Sequence, residues 1–132
     1  MKKVLKYTLT IILIFGLFSC KDNDSVLKKQ LVSPKEMQEL LNNEEVQLID
    51  VRTPAEYKDG YVADAININF YDVTFAQDVA KLDKSKPVYV YCKRGGRSAK
   101  AASKLRTMGF IEVFDMKGGF DAWKSHKLPV KK

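Results

Sequence analysis

The chain has 132 residues, 45% hydrophobic and 30% charged, which suits one domain that can bury a core without disulfide or metal staples. Seven glycines and four prolines exclude a fibrous or low-complexity chain, and two cysteines with one histidine exclude a zinc-ligand set or a disulfide framework. Of the formal charge of +7, Lys2, Lys3 and Lys6 belong to an N-terminal leader; the remaining +4 is ordinary solubility charge with acids spread among bases, and it gives no sign of a nucleic-acid partner.

The leader, MKKVLKYTLTIILIFGLFSC, is a short basic segment followed by an uncharged run from Tyr7 to Phe18. That run has the length of a signal-peptide core and falls short of the roughly 20 residues needed to span a bilayer. Its end, Leu17-Phe18-Ser19-Cys20, resembles a bacterial lipobox, although Phe18 is bulkier than the usual residue there. The resemblance implies a signal peptide over residues 1–19, cleavage before Cys20 and acylation of Cys20. The protein would then be lipid-anchored to a membrane of the bacterial cell envelope, facing the periplasm or the outside. An uncleaved signal anchor, with Cys20 an ordinary thiol, is the alternative. Residues 20–32 are polar without a clear period and read as a flexible tether. One domain over residues 33–132 follows.

Ser33-Pro34-Lys35-Glu36 is a capping box with proline at the first helical position, and Met37, Leu40 and Leu41 continue a helix to about Asn42. Gln47 to Val51 is a short apolar strand. Thr53-Pro54-Ala55-Glu56 is a second capping box, which predicts a short helix ending near Gly60. Ala65 to Asn69 suggests a strand, and Asp72 to Leu82 has helical spacing. Val88-Tyr89-Val90-Tyr91 is a strand of high β propensity. Ser98 to Met108 reads as a helix closed by Gly109, Glu112 to Met116 as a strand, Gly118-Gly119 as a turn and Phe120 to Ser125 as a short helix. Strands alternate with helices throughout. This is the pattern of a small α/β domain with a mostly parallel central sheet flanked by helices on both faces. In such sheets, sites gather at the carboxyl ends of the strands.

One of those strand ends carries a cysteine. Cys92 follows the VYVY strand, and Lys93-Arg94-Gly95-Gly96-Arg97 turns from it into the next helix. The two glycines allow positive φ and let backbone N–H groups point inward. The helix N-terminus adds about half a positive charge aimed the same way. Lys93, Arg94 and Arg97 add formal charge. Such a cradle lowers a thiol pKa from about 8.5 into the range of roughly 3.5–7.5. Cys92 is therefore expected to be a thiolate nucleophile that needs no histidine base, in a chain whose one histidine, His126, lies far along the sequence.

Three blocks together, LIDVRTPAEYKDGYVADAININ over residues 48–69, YCKRGGRSAKAASKLRTMGF over 91–110 and GGFDAWKSHKLPV over 118–130, resemble the rhodanese-like family. The resemblance spans about residues 33–130. It implies that Cys92 is the catalytic cysteine that carries a persulfide, that residues 93–97 form the active-site loop and that Arg97 closes it. Asp50 and Arg52 match a strand-end pair that supports the fold, and Phe120 and Trp123 match packing residues. The implied reaction moves a sulfane sulfur from a small anionic donor such as thiosulfate to cyanide or a thiol, with a protein acceptor also open, and needs no metal or organic cofactor. This chain departs from the family pattern at Tyr61, where a histidine is usual, and at Asp64, where a glycine is usual; both put the shape of that turn in question.

Three other chemistries fit parts of the pattern. A cysteine-dependent phosphatase or arsenate reductase also closes a cysteine loop with arginine, but with five intervening residues rather than the four seen from Lys93 to Gly96. A binding or redox-sensing module could use the same loop without turnover. A thiol–disulfide oxidoreductase is disfavoured, because there is no CxxC and no resolving cysteine.

Overall fold

A computed structural model of the chain describes residues 30–132. The expected signal peptide, Cys20 and the tether up to residue 29 lie outside the described residues. Among the described residues, no helix is long and apolar enough to cross a membrane.

In chain order the elements are β1 (Leu31–Val32), α1 (Pro34–Asn43), β2 (Gln47–Asp50), α2 (Pro54–Lys58), β3 (Ile66–Asn67), α3 (Phe75–Val79), β4 (Val88–Tyr91), α4 (Gly96–Thr107), β5 (Val113–Met116) and α5 (Gly119–Ser125). The five strands form one sheet in the order β1-β5-β4-β2-β3, with every pairing parallel. Ile49 of β2 stands opposite Ile66 of β3 on one side and Val90 of β4 on the other. All carboxyl ends therefore lie along the same edge of the sheet.

The alternation of side chains along a strand divides the core into two layers. Val88, Val90 and Cys92 join Ile49, Val51 and Val113 on the face covered by α3 and α4, where Phe75, Val79, Ala101, Ala102 and Leu105 pack. Tyr89 and Tyr91 join Leu48 and Met116 on the opposite face, under Met37 of α1 and Phe120 and Trp123 of α5. β4 sits at the centre with all four residues buried, which is why it reads as a continuous β-propensity run rather than a half-polar one.

Both capping boxes form. Ser33 Oγ accepts from Glu36 N while Glu36 Oε2 accepts from Ser33 N, and Thr53 and Glu56 repeat the arrangement. Other boundaries move. Leu31 and Val32, assigned from sequence to the end of the tether, form an edge strand on β5. α3 is shorter than its helical spacing suggests, because Asn69 and Asp72 pair their side chains and Phe75 N donates to Asp72 O, giving the chain a local turn in place of a helical start. β3 is likewise brief, since Asn67 turns its amide to bridge the carbonyls of Asp50 and Arg52.

Candidate active site

Cys92 leaves the end of β4 into a tight loop. Gly95 has φ +117°, a conformation that side chains with a Cβ rarely adopt, and there the chain reverses into α4. The turn brings Gly95 N–H to 3.0 Å from Cys92 Sγ, where it donates a hydrogen bond to the sulfur. Gly96 does not share the special backbone: it is the first residue of α4, which starts two residues earlier than its sequence suggests.

The outside of the loop is pinned by α5. Phe120 N donates to Cys92 O at 2.8 Å and Asp121 N to Lys93 O at 3.0 Å. With these two carbonyls held outward by a helix N-terminus, the loop's amides are left facing the sulfur. Gly119 makes the approach possible. At φ +60°, a Cβ there would lie 2.5 Å from Cys92 O and 2.7 Å from Lys93 O. The glycine pair at 118–119 reads in sequence only as a turn; its second member is the point where the two segments of backbone touch.

Cys92 is 2% exposed. Burial pushes its thiol pKa up, but the hydroxyl of Ser98 and the backbone N–H groups of Ser98, Gly95 and Arg94 outweigh that and hold it below the ordinary thiol value. The lowering thus comes from fixed neutral dipoles. The expected cations contribute less directly than their number suggests. Arg97 is committed to Glu56, with Nη1–Oε2 and Nη2–Oε1 at 2.7 and 2.8 Å. Arg94 is paired with Asp121 at 3.1 Å in the solvent, and Lys93 is exposed. The Arg97 pair shifts both partners: its hydrogen bonds hold the Glu56 carboxyl down at about 2 and raise the guanidinium further.

Behind the loop, Asp50 and Arg52 are 0% and 3% exposed and form a buried ion pair. Arg52 Nη2 also donates to Gly60 O at 2.7 Å, and its guanidinium lies 4.1 Å from the Phe120 ring centroid. The pair thereby fastens the end of β2 to the turn after α2 and to α5. In that turn, Tyr61 stacks on Tyr57 at 4.1 Å and exchanges two backbone hydrogen bonds with Lys131. Asp64 occupies the left-handed region at φ +65°, so the turn keeps a glycine-like conformation with an aspartate in it. Among the described residues no group of three or more His, Cys, Asp or Glu side chains could hold a metal ion.

A model of the rhodanese-like domain matches residues 33–126. The chain belongs to the rhodanese family. This rhodanese-like domain is 34% identical over 93 residues to a sulfurtransferase of Allochromatium vinosum, an alignment covering 70% of this chain and 85% of that protein. It is 35% identical over 95 residues to a thiosulfate sulfurtransferase of Coxiella burnetii, covering 72% and 87% respectively. Among solved structures it resembles a rhodanese-related protein of Thermoplasma volcanium, with a TM-score of 0.69 and 27% identity over 77% of this chain and 97% of that one. A rhodanese-like domain protein of Staphylococcus aureus aligns with a TM-score of 0.67 and 29% identity, over 78% and 99%.

The structure thus brings Gly95 to the Cys92 sulfur, leaves Lys93 and Arg94 on the solvent side of the loop and turns Arg97 to Glu56, with Asp50 at the end of β2 and Arg52 just after it forming the buried pair. Sequence reasoning missed four participants. Glu56 was legible as a helix cap but not as the partner of Arg97, 41 residues away. The signal was its fixed position in the first turn of α2, the helix that follows β2, on the same edge of the sheet as an arginine needing a counter-ion. Ser98 was read only as a helix start. The amides of Phe120 and Asp121 carry no side-chain signature at all.

Proposed function

We propose that the protein is a sulfurtransferase working through a persulfide on Cys92. The Cys92 thiolate attacks the outer sulfur of an anionic donor such as thiosulfate, the S–S bond of the donor breaks, and sulfite leaves with the bonding pair. The persulfide anion then yields its outer sulfur to a thiol or cyanide, and the thiolate returns. The observation that carries this reading is the hydrogen bond that Gly95 N donates to Sγ at 3.0 Å, in a setting where the Ser98 and Arg94 amides also favour the sulfur anion. Donors fixed before reaction stabilise the anion of the starting thiolate and of the persulfide without reorganising. The relatives named as sulfurtransferases support the same chemistry. Arg97, held flat by Glu56, keeps the far wall of the loop in place, and exposed Lys93 and Arg94 supply a field that draws an anion toward the mouth.

The test is intact mass after incubation with thiosulfate, alongside an assay for released sulfite. One added sulfur atom on the wild type, absent from Cys92→Ser, supports the reading. A protein that gains no sulfur and releases no sulfite from any sulfane donor overturns it.

We further propose that the domain works at a membrane of the cell envelope, anchored by lipid on Cys20. Support comes from the order of basic segment, apolar run, Ser19 and Cys20. Labelled fatty acid should enter the wild type and not Cys20→Ser; equal labelling of both discards the anchor.

A further inference from the structure

Helix α1 does not close its side of the sheet completely. Between it and the amino ends of β4 and β5 lies a groove of about 370 Å³, walled by Leu31, Leu40, Tyr89 and Phe114. The Tyr89 and Phe114 rings stack at 5.1 Å and give it a flat apolar floor. Leu31, on the edge strand, is 47% exposed. The rim is acidic: Glu36, Glu39 and Glu44 line it, and all three are exposed. Among the described residues no cation lines the groove, and none of these carboxylates makes a salt bridge. An apolar floor inside an acidic rim fits an aliphatic side chain flanked by positive charge.

The chain carries such a segment immediately before the groove. Between Cys20 and Leu31 the only apolar residues are Val26 and Leu27, and Lys28 and Lys29 follow them directly. Leu31 pairs with Asp115 of β5, and Asp115 N donates to Gln30 O at 2.9 Å. Gln30, where the described chain begins, is therefore fixed against β5 at the level of Phe114. Leu27 is three residues further back, and three extended residues span about 10 Å. We propose that residues 26–29 dock in this groove, with Leu27 on the Tyr89 and Phe114 rings and Lys28 and Lys29 against Glu39 and Glu44.

The occupant is this chain's own segment because the attachment at Gln30 makes docking intramolecular. The local concentration of the segment then exceeds what a second copy or another protein supplies at ordinary dilution. Docking has a directional consequence. Tyr89 and Phe114 are the second residues of β4 and β5, whereas Cys92 follows the last residue of β4. A docked segment draws the N-terminal part of the chain to the amino edge of the sheet. The carboxyl edge, with Cys92, then faces away from whatever that part is attached to. The inference goes beyond the sulfur-transfer reading and stands without it, since Cys92 takes no part.

The test is NMR of the full chain in detergent micelles, with leucine and valine methyl groups and tyrosine and phenylalanine rings labelled. The Leu27 methyl signals should be shifted upfield by the two rings and show NOEs to Tyr89 and Phe114. Lys28→Glu with Lys29→Glu should weaken those NOEs at least threefold. Glu39→Lys with Glu44→Lys should do the same; both acids are exposed, so the core is untouched. All four changes together should restore the NOEs, because the charges match again. Chains labelled only in methyl groups, mixed with chains labelled only in rings, should show none. No Leu27 contact in the wild type, contact between separately labelled chains, or a contact that the reversed charges leave unchanged would each overturn the proposal.

Discussion

Arg97 and Glu56 face each other through two parallel hydrogen bonds, although one begins the helix after the cysteine loop and the other caps the helix after β2. The Glu56 Oε2 atom also accepts from Thr53 N and Thr53 Oγ1. A single carboxylate therefore terminates one helix and anchors the loop belonging to another.

Glu56→Gln separates those roles. Glutamine still completes a capping box, so helix α2 should persist. The charge on the ion pair goes. A loss of about 1–2 kcal/mol is expected, since water reaches the pair and screens it. The pH dependence has a definite sign. The Glu56 pKa is depressed to about 2 in the folded state, so its stabilisation is complete above the unfolded value of 4.5 and disappears as pH falls toward 2. Urea denaturation of wild type and variant at several pH values should show a gap near neutrality that closes in acid. A gap independent of pH would mean that the pair contributes through shape alone.

Three glycines around one sulfur should respond differently to alanine. At Gly96 a Cβ meets nothing within 4 Å and the backbone is helical, so alanine should be neutral or stabilising by up to about 1 kcal/mol. At Gly95 there is also space, but φ +117° penalises any side chain by about 1–2 kcal/mol, and relaxing it moves the N–H that faces Sγ. Its alanine variant should combine modest destabilisation with a raised thiol pKa. At Gly119 the Cβ would strike backbone atoms of Cys92 and Lys93, so α5 must back away, at a cost of roughly 2–4 kcal/mol. Thermal melts and alkylation of Cys92 against pH give both readouts; equal effects at positions 95 and 96 would contradict the loop geometry.

Arg52→Ala should be among the most damaging single changes. It leaves the Asp50 carboxylate, 0% exposed, without its partner, and breaking a buried ion pair in this way costs about 3–5 kcal/mol. Asp50→Ala combined with Arg52→Ala should lose less than the sum of the two single variants, because no orphaned charge remains. Additive losses in a double-mutant cycle would show that the two side chains act separately.

Asp64→Gly should stabilise the protein slightly. The left-handed conformation costs a side-chain-bearing residue about 1–2 kcal/mol, while glycine's extra freedom in the unfolded chain costs about 0.5–1 kcal/mol, which leaves a gain of about 0.5 kcal/mol. Asp64 is exposed, so no packing opposes the change. A drop in melting temperature would show that the aspartate makes its own favourable contribution to the turn.

Local signals were the legible ones. Two capping boxes, the β-branched and aromatic run of β4 and the glycine-rich loop after it are written in consecutive residues, and they put Cys92 at a strand end with a tight turn and a helix behind it, as the structure has them. Tertiary competition was not legible. The cluster of Lys93, Arg94 and Arg97 looked like charge aimed at sulfur, whereas Glu56 and Asp121, distant in sequence, claim two of the three. β1 escaped notice because two residues give no period, and their strand exists only through pairing with β5. The Ser98 hydroxyl was likewise invisible, since a helix start gives no sign that its side chain is buried and favours the Cys92 sulfur anion.

The contact between α5 and the loop also fixes an order of events during synthesis. A nascent chain has made Cys92 well before it has made Gly119, Phe120 and Asp121, whose backbone fastens Cys92 O and Lys93 O. Until that helix is available, those two carbonyls lack the donors that hold them outward. The loop is thereby fastened only after α5 has been made, and a chain cut short before α5 lacks both of those hydrogen bonds.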